Sequence, residues 1–244
     1  MIGFHGGLGN APGYIRNSDL FAKGERAGFI VVCPQGTPVA VAMAGDHRVW
    51  NSGPEYARAT RGADDVAFTR ALIGKIAALY PLDARRVYAT GFSNGAQMAY
   101  LLALKASDAI AAIAPMSGGR SADGLAPGRP VPVMHFHGTA DGYYPFEGGR
   151  GAQSIGPTSH TAIEAVIAEW RGFNHAGARA TIATHDGWEV RAYDGEAPVS
   201  LILIQGMGHQ IAGGGDDHLP RQAMKSEPDE VAMALGFFGE ERGR

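Results

Sequence analysis

The chain has 244 residues, 45% of them hydrophobic and 18% charged, with a formal net charge of -3. That is enough apolar material for a sizeable core, and the slight acidity leaves no basic footprint for nucleic acid or an anionic membrane surface. No apolar run approaches the ~20 residues that span a bilayer, and no signal peptide is visible at Met1; the one cysteine, Cys33, cannot form an internal disulfide.

The 36 glycines and 14 prolines are dispersed between apolar runs, so residues 1–244 read as one domain without repeat or linker. In chain order, near-continuous apolar runs occur at residues 29–32, 87–89, 110–114, 131–136 and 199–204. Such runs predict strands buried on both faces of a parallel sheet. Helix-length stretches lie between them. Val66, Ile73, Ile76 and Tyr80 mark a helix over 64–80, stopped by Pro81. Met98, Leu101, Leu102 and Lys105 mark one over 94–106; Ile163, Val166, Ile167 and Trp170 mark one over 162–173. A last helix carries Val231, Leu235 and Phe238, with Pro228 in its first turn. The alternation predicts an α/β fold, a mostly parallel central sheet with helices on both faces, whose chemistry sits at the carboxyl ends of the strands.

At one such end stands Gly91-Phe92-Ser93-Asn94-Gly95, between a strand and a helix. A serine on that sharp turn is thrust above the sheet, and the flanking glycines avoid crowding that a Cβ would cause. Chance alone supplies ~0.2 such patterns in a chain this rich in glycine, so the strand-turn-helix setting carries the assignment. A serine hydroxyl needs a base, and the base needs an orienting acid. In this architecture they follow in the order Ser, acid, His. The strand at 131–136 runs out to Asp141, and the strand at 199–204 runs out to His209. Both therefore fall where acid and base belong.

Other candidates read as less suited. His135 and His137 share one face of a strand, and a metal site there lacks a third ligand at a suitable spacing, so core histidines are expected and no metal. Asp216, Asp217 and His218 read as a solvated polar cluster, and Asp123 and Glu147 lie farther from a strand end than Asp141. For the developing oxyanion the amide of Asn94 is one expected donor. The histidine-glycine loop His5-Gly6-Gly7-Leu8-Gly9 supplies the other, assigned to Gly7, with Leu8 the neighbouring possibility and otherwise a substrate-binding residue.

With these residues in place, the chain resembles the polyhydroxybutyrate depolymerase, feruloyl esterase and acetylxylan esterase group of α/β-hydrolases. The resemblance rests on His5-Gly6-Gly7, on the stretch from Ala27 to Gly36, and on Trp50-Asn51 and Asp64-Asp65-Val66-Ala67-Phe68. It continues through the stretch from Arg86 to Gly95, His137-Gly138-Thr139-Ala140-Asp141 and Gly208-His209. It implies an α/β-hydrolase fold and catalysis by Ser93, Asp141 and His209 without a cofactor. It also implies that Trp50, Tyr143 and Tyr144 border the acyl or alcohol pocket; for Trp50, packing of a loop against the body is the competing reading.

Members of the group usually carry two further strands before the histidine-glycine loop, and many are secreted. Here Met1 stands four residues before His5, so the sheet is expected to lack those first two strands and to end at the 29–33 segment. An apolar edge invites pairing, which leaves two expectations: a homodimer that covers it, or an N-terminal extension. The compartment stays open. Together the residues predict hydrolysis of a carboxylic ester, a small molecule or a polymer end, through an acyl-enzyme. Peptide hydrolysis, or a catalytically silent binding protein of the same fold, are the alternatives.

Overall fold

Four of the five apolar runs become neighbouring strands at the centre of one sheet. The computed structural model describes residues 1–41, 45–120, 124–154, 157–214 and 228–241. It opens with β1 (Ile2–Phe4), the short helices α1 (Ala11–Ser18) and α2 (Leu20–Arg26), and a ribbon of β2 (Thr37–Pro38) and β3 (Arg48–Val49). Next come α3 (Asp65–Leu79), β4 (Tyr88–Phe92), α4 (Asn94–Lys105), β5 (Ala112–Met116) and β6 (Val133–Gly138). The chain continues with α5 (Ile163–Phe173), β7 (Thr181–His185), β8 (Trp188–Tyr193), β9 (Val199–Ile204) and α6 (Glu230–Glu240). The sheet order is β1-β4-β5-β6-β9-β8-β7, parallel from β1 to β9 and antiparallel across the last two pairings.

The two-residue period of a strand divides the core between the faces. On β9, Val199, Leu201 and Leu203 join the layer packed by α4 and α5, with Trp170 fully buried there. Ile202 and Ile204 point the other way, into a layer with Phe136, Tyr88 and Phe238 of α6. The Tyr88 and Phe238 rings stack at 4.7 Å. Burial of each such side chain stabilises by roughly 1.5–3 kcal/mol. Helix starts follow local chemistry: Asp64 caps α3 by accepting from the Ala67 amide, and Asp229 caps α6 by accepting from Ala232, each at 2.9 Å. Pro228 therefore precedes the cap instead of occupying the first turn.

The segment at 29–33 differs from its reading as a strand. It lies beside β1 but makes only an isolated parallel bridge, Ile2 to Val32. β1 is three residues long and offers few ladder bonds: Gly3 donates to the Val32 carbonyl and Val32 to the Met1 carbonyl. The Ile30 carbonyl accepts instead from the Met1 ammonium at 2.7 Å. Helix α3 also packs more lightly than its pattern suggests. Val66 and Ile73 meet the core only in part, and Tyr80 lies past the helix end, 52% exposed.

Candidate active site

The turn that carries Ser93 is a consequence of packing as much as of sequence. Ser93, between β4 and α4, adopts φ 55 and ψ −117, a region that L-residues avoid unless the surroundings impose it. Its amide donates to the Met116 carbonyl on β5 at 2.9 Å. A Cβ on Gly95 would stand 2.1 Å from the Phe4 carbonyl oxygen, and one on Gly91 would stand 2.5 Å from the Gly95 carbonyl oxygen. Only glycine lets β1, β4 and α4 approach this closely around the serine.

Two loops bring Asp141 and His209 to it. Beyond β6 and β9 the chains stay zipped: Thr139 donates to the Ile204 carbonyl and Ala140 to the Met207 carbonyl, each at 3.0 Å. The Gly206 amide donates to Thr139 Oγ1 at 2.8 Å. Asp141 and His209 leave this zipper together. The Ser93 hydroxyl donates to His209 Nε2 at 2.9 Å, and His209 Nδ1 donates to Asp141 Oδ2 at 2.8 Å. The other carboxylate oxygen, Oδ1, accepts from the Tyr143 and Tyr144 amides at 2.9 and 2.7 Å. Burial pushes the Asp141 carboxyl up, but the charge and hydrogen bond of His209, with His137 and the Tyr144 amide, outweigh it and hold it below its ordinary value. The His209 imidazole lies between the rings of Phe92 (4.7 Å) and Tyr143 (5.1 Å). Ser93 itself is half-buried.

The histidine-glycine loop stands over the start of α4. A Cβ on Gly7 would meet Asn94 Cβ at 3.4 Å, so the two assigned oxyanion donors share one neighbourhood. Neither amide donates to another described residue. Leu8 beside them is half-buried with φ 61, and its carbonyl accepts from His47 Nδ1 at 2.8 Å. His5, buried, straps the loop down: Nδ1 donates to the Gly6 carbonyl and Nε2 accepts from the Gly36 amide. Burial pulls its pKa down to about 4, so it stays neutral.

Two residues placed at the substrate pocket by sequence are corrected by their burial. Trp50 is fully buried; its indole donates to the His5 carbonyl at 3.0 Å, and its backbone is clamped by the Asn94 side chain at 2.7 and 3.1 Å. It supports the histidine-glycine loop from inside and presents no surface to a substrate. The Tyr144 ring is 4% exposed and stacks on His160 at 3.9 Å. Tyr144 thus reaches the site through its backbone. Tyr143 is half-buried, with its ring against His209. Glu147 is an exposed loop residue, while Asp123, Asp216, Asp217 and His218 lie outside the described residues.

His135 and His137 have all four ring nitrogens engaged by protein groups, as expected of core histidines. Sequence reasoning missed the strap formed by His5 and the partners of these two histidines. The period-two spacing of His135 and His137 was the one available signal.

A mostly parallel sheet covered on both faces, with serine, acid and histidine in that chain order at its carboxyl edge, defines an α/β-hydrolase. The family model described as "Esterase PHB depolymerase" matches residues 1–135, more than half of the sequence, and the chain belongs to that family. It is 30% identical over 227 residues to feruloyl esterase B of Piromyces equi, covering 88% of this chain and 40% of that protein. A probable feruloyl esterase C of Aspergillus clavatus is 33% identical over 179 residues, 73% of this chain and 58% of that one. The chain thus spans between two fifths and three fifths of the length of these relatives. In fold it is similar to an acetyl xylan esterase from Aspergillus awamori, with a TM-score of 0.63 and 18% identity over 86% of this chain and 83% of that one.

Proposed function

We propose that the protein hydrolyses carboxylic esters through an acyl-serine intermediate. The observation that carries this is the unbroken line of hydrogen bonds from Ser93 through His209 to Asp141. Ser93 Oγ attacks the ester carbonyl carbon as His209 Nε2 takes its proton. Asp141 holds Nδ1–H and stabilises the imidazolium that results. The carbonyl oxygen gains the charge, and the Asn94 and Gly7 amides donate to it. The intermediate collapses, the C–O bond to the alcohol breaks, and His209 returns the proton to the leaving oxygen. Water then repeats the attack on the acyl-serine with His209 as base, which releases the acid. No step needs a cofactor.

The relatives named feruloyl esterase and acetyl xylan esterase favour feruloyl or acetyl esters, small or at a polymer end, and the family description favours short hydroxyalkanoates as the third class. Assay of p-nitrophenyl acetate and methyl ferulate, with Ser93→Ala as control, tests the reading. Turnover should fall by something like 10⁴–10⁶-fold in the variant. A folded parent that turns over neither ester contradicts it.

A further inference from the structure

Behind the acid lies a buried chain of side chains that the reaction does not touch. Tyr100 on α4 and His135 and His137 on β6 have no exposed surface. Tyr100 Oη is 2.9 Å from His135 Nδ1, His135 Nε2 is 3.1 Å from His137 Nδ1, and His137 Nε2 is 2.8 Å from the Tyr144 carbonyl. A carbonyl oxygen only accepts, so His137 Nε2 must carry hydrogen. A neutral His137 then accepts at Nδ1, which requires hydrogen on His135 Nε2. A neutral His135 accepts in turn at Nδ1, which makes Tyr100 the donor. Burial keeps both imidazoles neutral by lowering their pKa values, which satisfies the premise. One carbonyl thereby fixes every proton in the chain.

That carbonyl belongs to the residue whose amide holds the acid. The same residue, Tyr144, gives its amide to Asp141 Oδ1 and its carbonyl to His137. The turn at 141–144 is therefore held through both the amide and the carbonyl of Tyr144, and His137 Nε2 stands 3.7 Å from Asp141 Oδ2, beyond hydrogen-bond reach. Oδ2 is left aimed at His209.

We propose that His137 is a positioning residue for the catalytic acid, with its tautomer locked by His135 and Tyr100, so that this chain holds the Asp141 carboxylate in line with His209. The inference rests on the acyl-serine reading. It assigns a purpose to three buried polar side chains that would otherwise be replaceable by apolar ones of similar shape.

The test compares kcat per active site, counted by titration with an aryl fluorophosphonate, so that misfolded molecules are not scored. Tyr100→Phe removes only the terminal donor; His137→Phe removes the grip on Tyr144; His137→Gln restores a side-chain N–H of similar reach. Displacement of a triad member by a fraction of an ångström to 1 Å costs up to about 10²-fold. We expect a drop of about 10–100-fold in kcat for His137→Phe and about 2–5-fold for Tyr100→Phe, with KM within about twofold, and recovery of most of the loss in His137→Gln. The downfield proton resonance of the His209–Asp141 hydrogen bond should move in Tyr100→Phe, a readout that needs no turnover. Unchanged kcat per titrated site in both phenylalanine variants, or equal losses in the Gln and Phe variants, overturns the inference alone. If His137→Phe does not fold, Tyr100→Phe decides by the same criteria. A parent that takes up no phosphonyl group overturns the reading beneath it, and the inference with it.

Discussion

At Asp141 two oxygens have separate tasks. Oδ1 is occupied by the Tyr143 and Tyr144 amides, and Oδ2 faces His209. This division makes Asp141→Asn informative. The amide oxygen would keep the two backbone donors, so the new NH2 group would face His209 Nδ1 and donate to it. His209 would then carry its hydrogen on Nε2, where it cannot accept from Ser93. A fall of about 10⁴-fold in kcat, with the melting temperature changed little, is the expected result. Equal activity in parent and variant would place the orienting acid elsewhere. At this scale Ser93, Asp141 and His209 were legible because a strand end, a glycine-flanked turn and chain order restrict the choice. Trp50 and Tyr144 were not, because a buried aromatic and a pocket aromatic look alike until their packing is known.

Among the elements, legibility followed burial. β9 matches its apolar run from Val199 to Ile204 because both of its faces are covered, and α5 matches because Ile163, Val166, Ile167 and Trp170 all turn inward. β7 escaped detection since Thr181–His185 is exposed throughout and is held by pairing with β8 alone. β8 alternates Trp188, Val190 and Ala192 with Glu189 and Arg191, a pattern proper to an antiparallel strand that a search for continuous apolar runs passes over. Pro12, Gly13 and Gly24 disguised α1 and α2, although Asn10 caps the first by accepting from the Gly13 amide at 2.9 Å. Elements also meet tightly at the turn that carries Ser93. Gly95→Ala should cost about 1–3 kcal/mol or more in urea unfolding, since its Cβ would collide with the Phe4 carbonyl. A variant as stable as the parent would show that the close approach of β1 and α4 is not required.

Over the whole molecule, the buried histidines set an acid limit to stability. Burial lowers the pKa of His5 to about 4 and also lowers those of His135 and His137. An unfolded histidine titrates near 6.5. Above that pH both states are neutral and these residues contribute nothing; below it only the unfolded chain takes up their protons, so stability falls. Each contributes a slope of up to about 1.4 kcal/mol per pH unit until its folded value is reached. Asp141, held below its ordinary carboxyl value of 3.8, adds stability that is full above that pH and lost as pH falls through its folded value. The urea midpoint should therefore decline between about pH 7 and pH 5, before carboxylates titrate. A flat midpoint over that interval would mean that the histidines are not held neutral. The central claim, an activated serine at the edge of this sheet, is tested most directly by intact-mass measurement after exposure to an aryl fluorophosphonate. The account predicts one phosphonyl group on the parent, located at Ser93, and none on Ser93→Ala. A folded parent that gains no mass, or gains it at another residue, would contradict it.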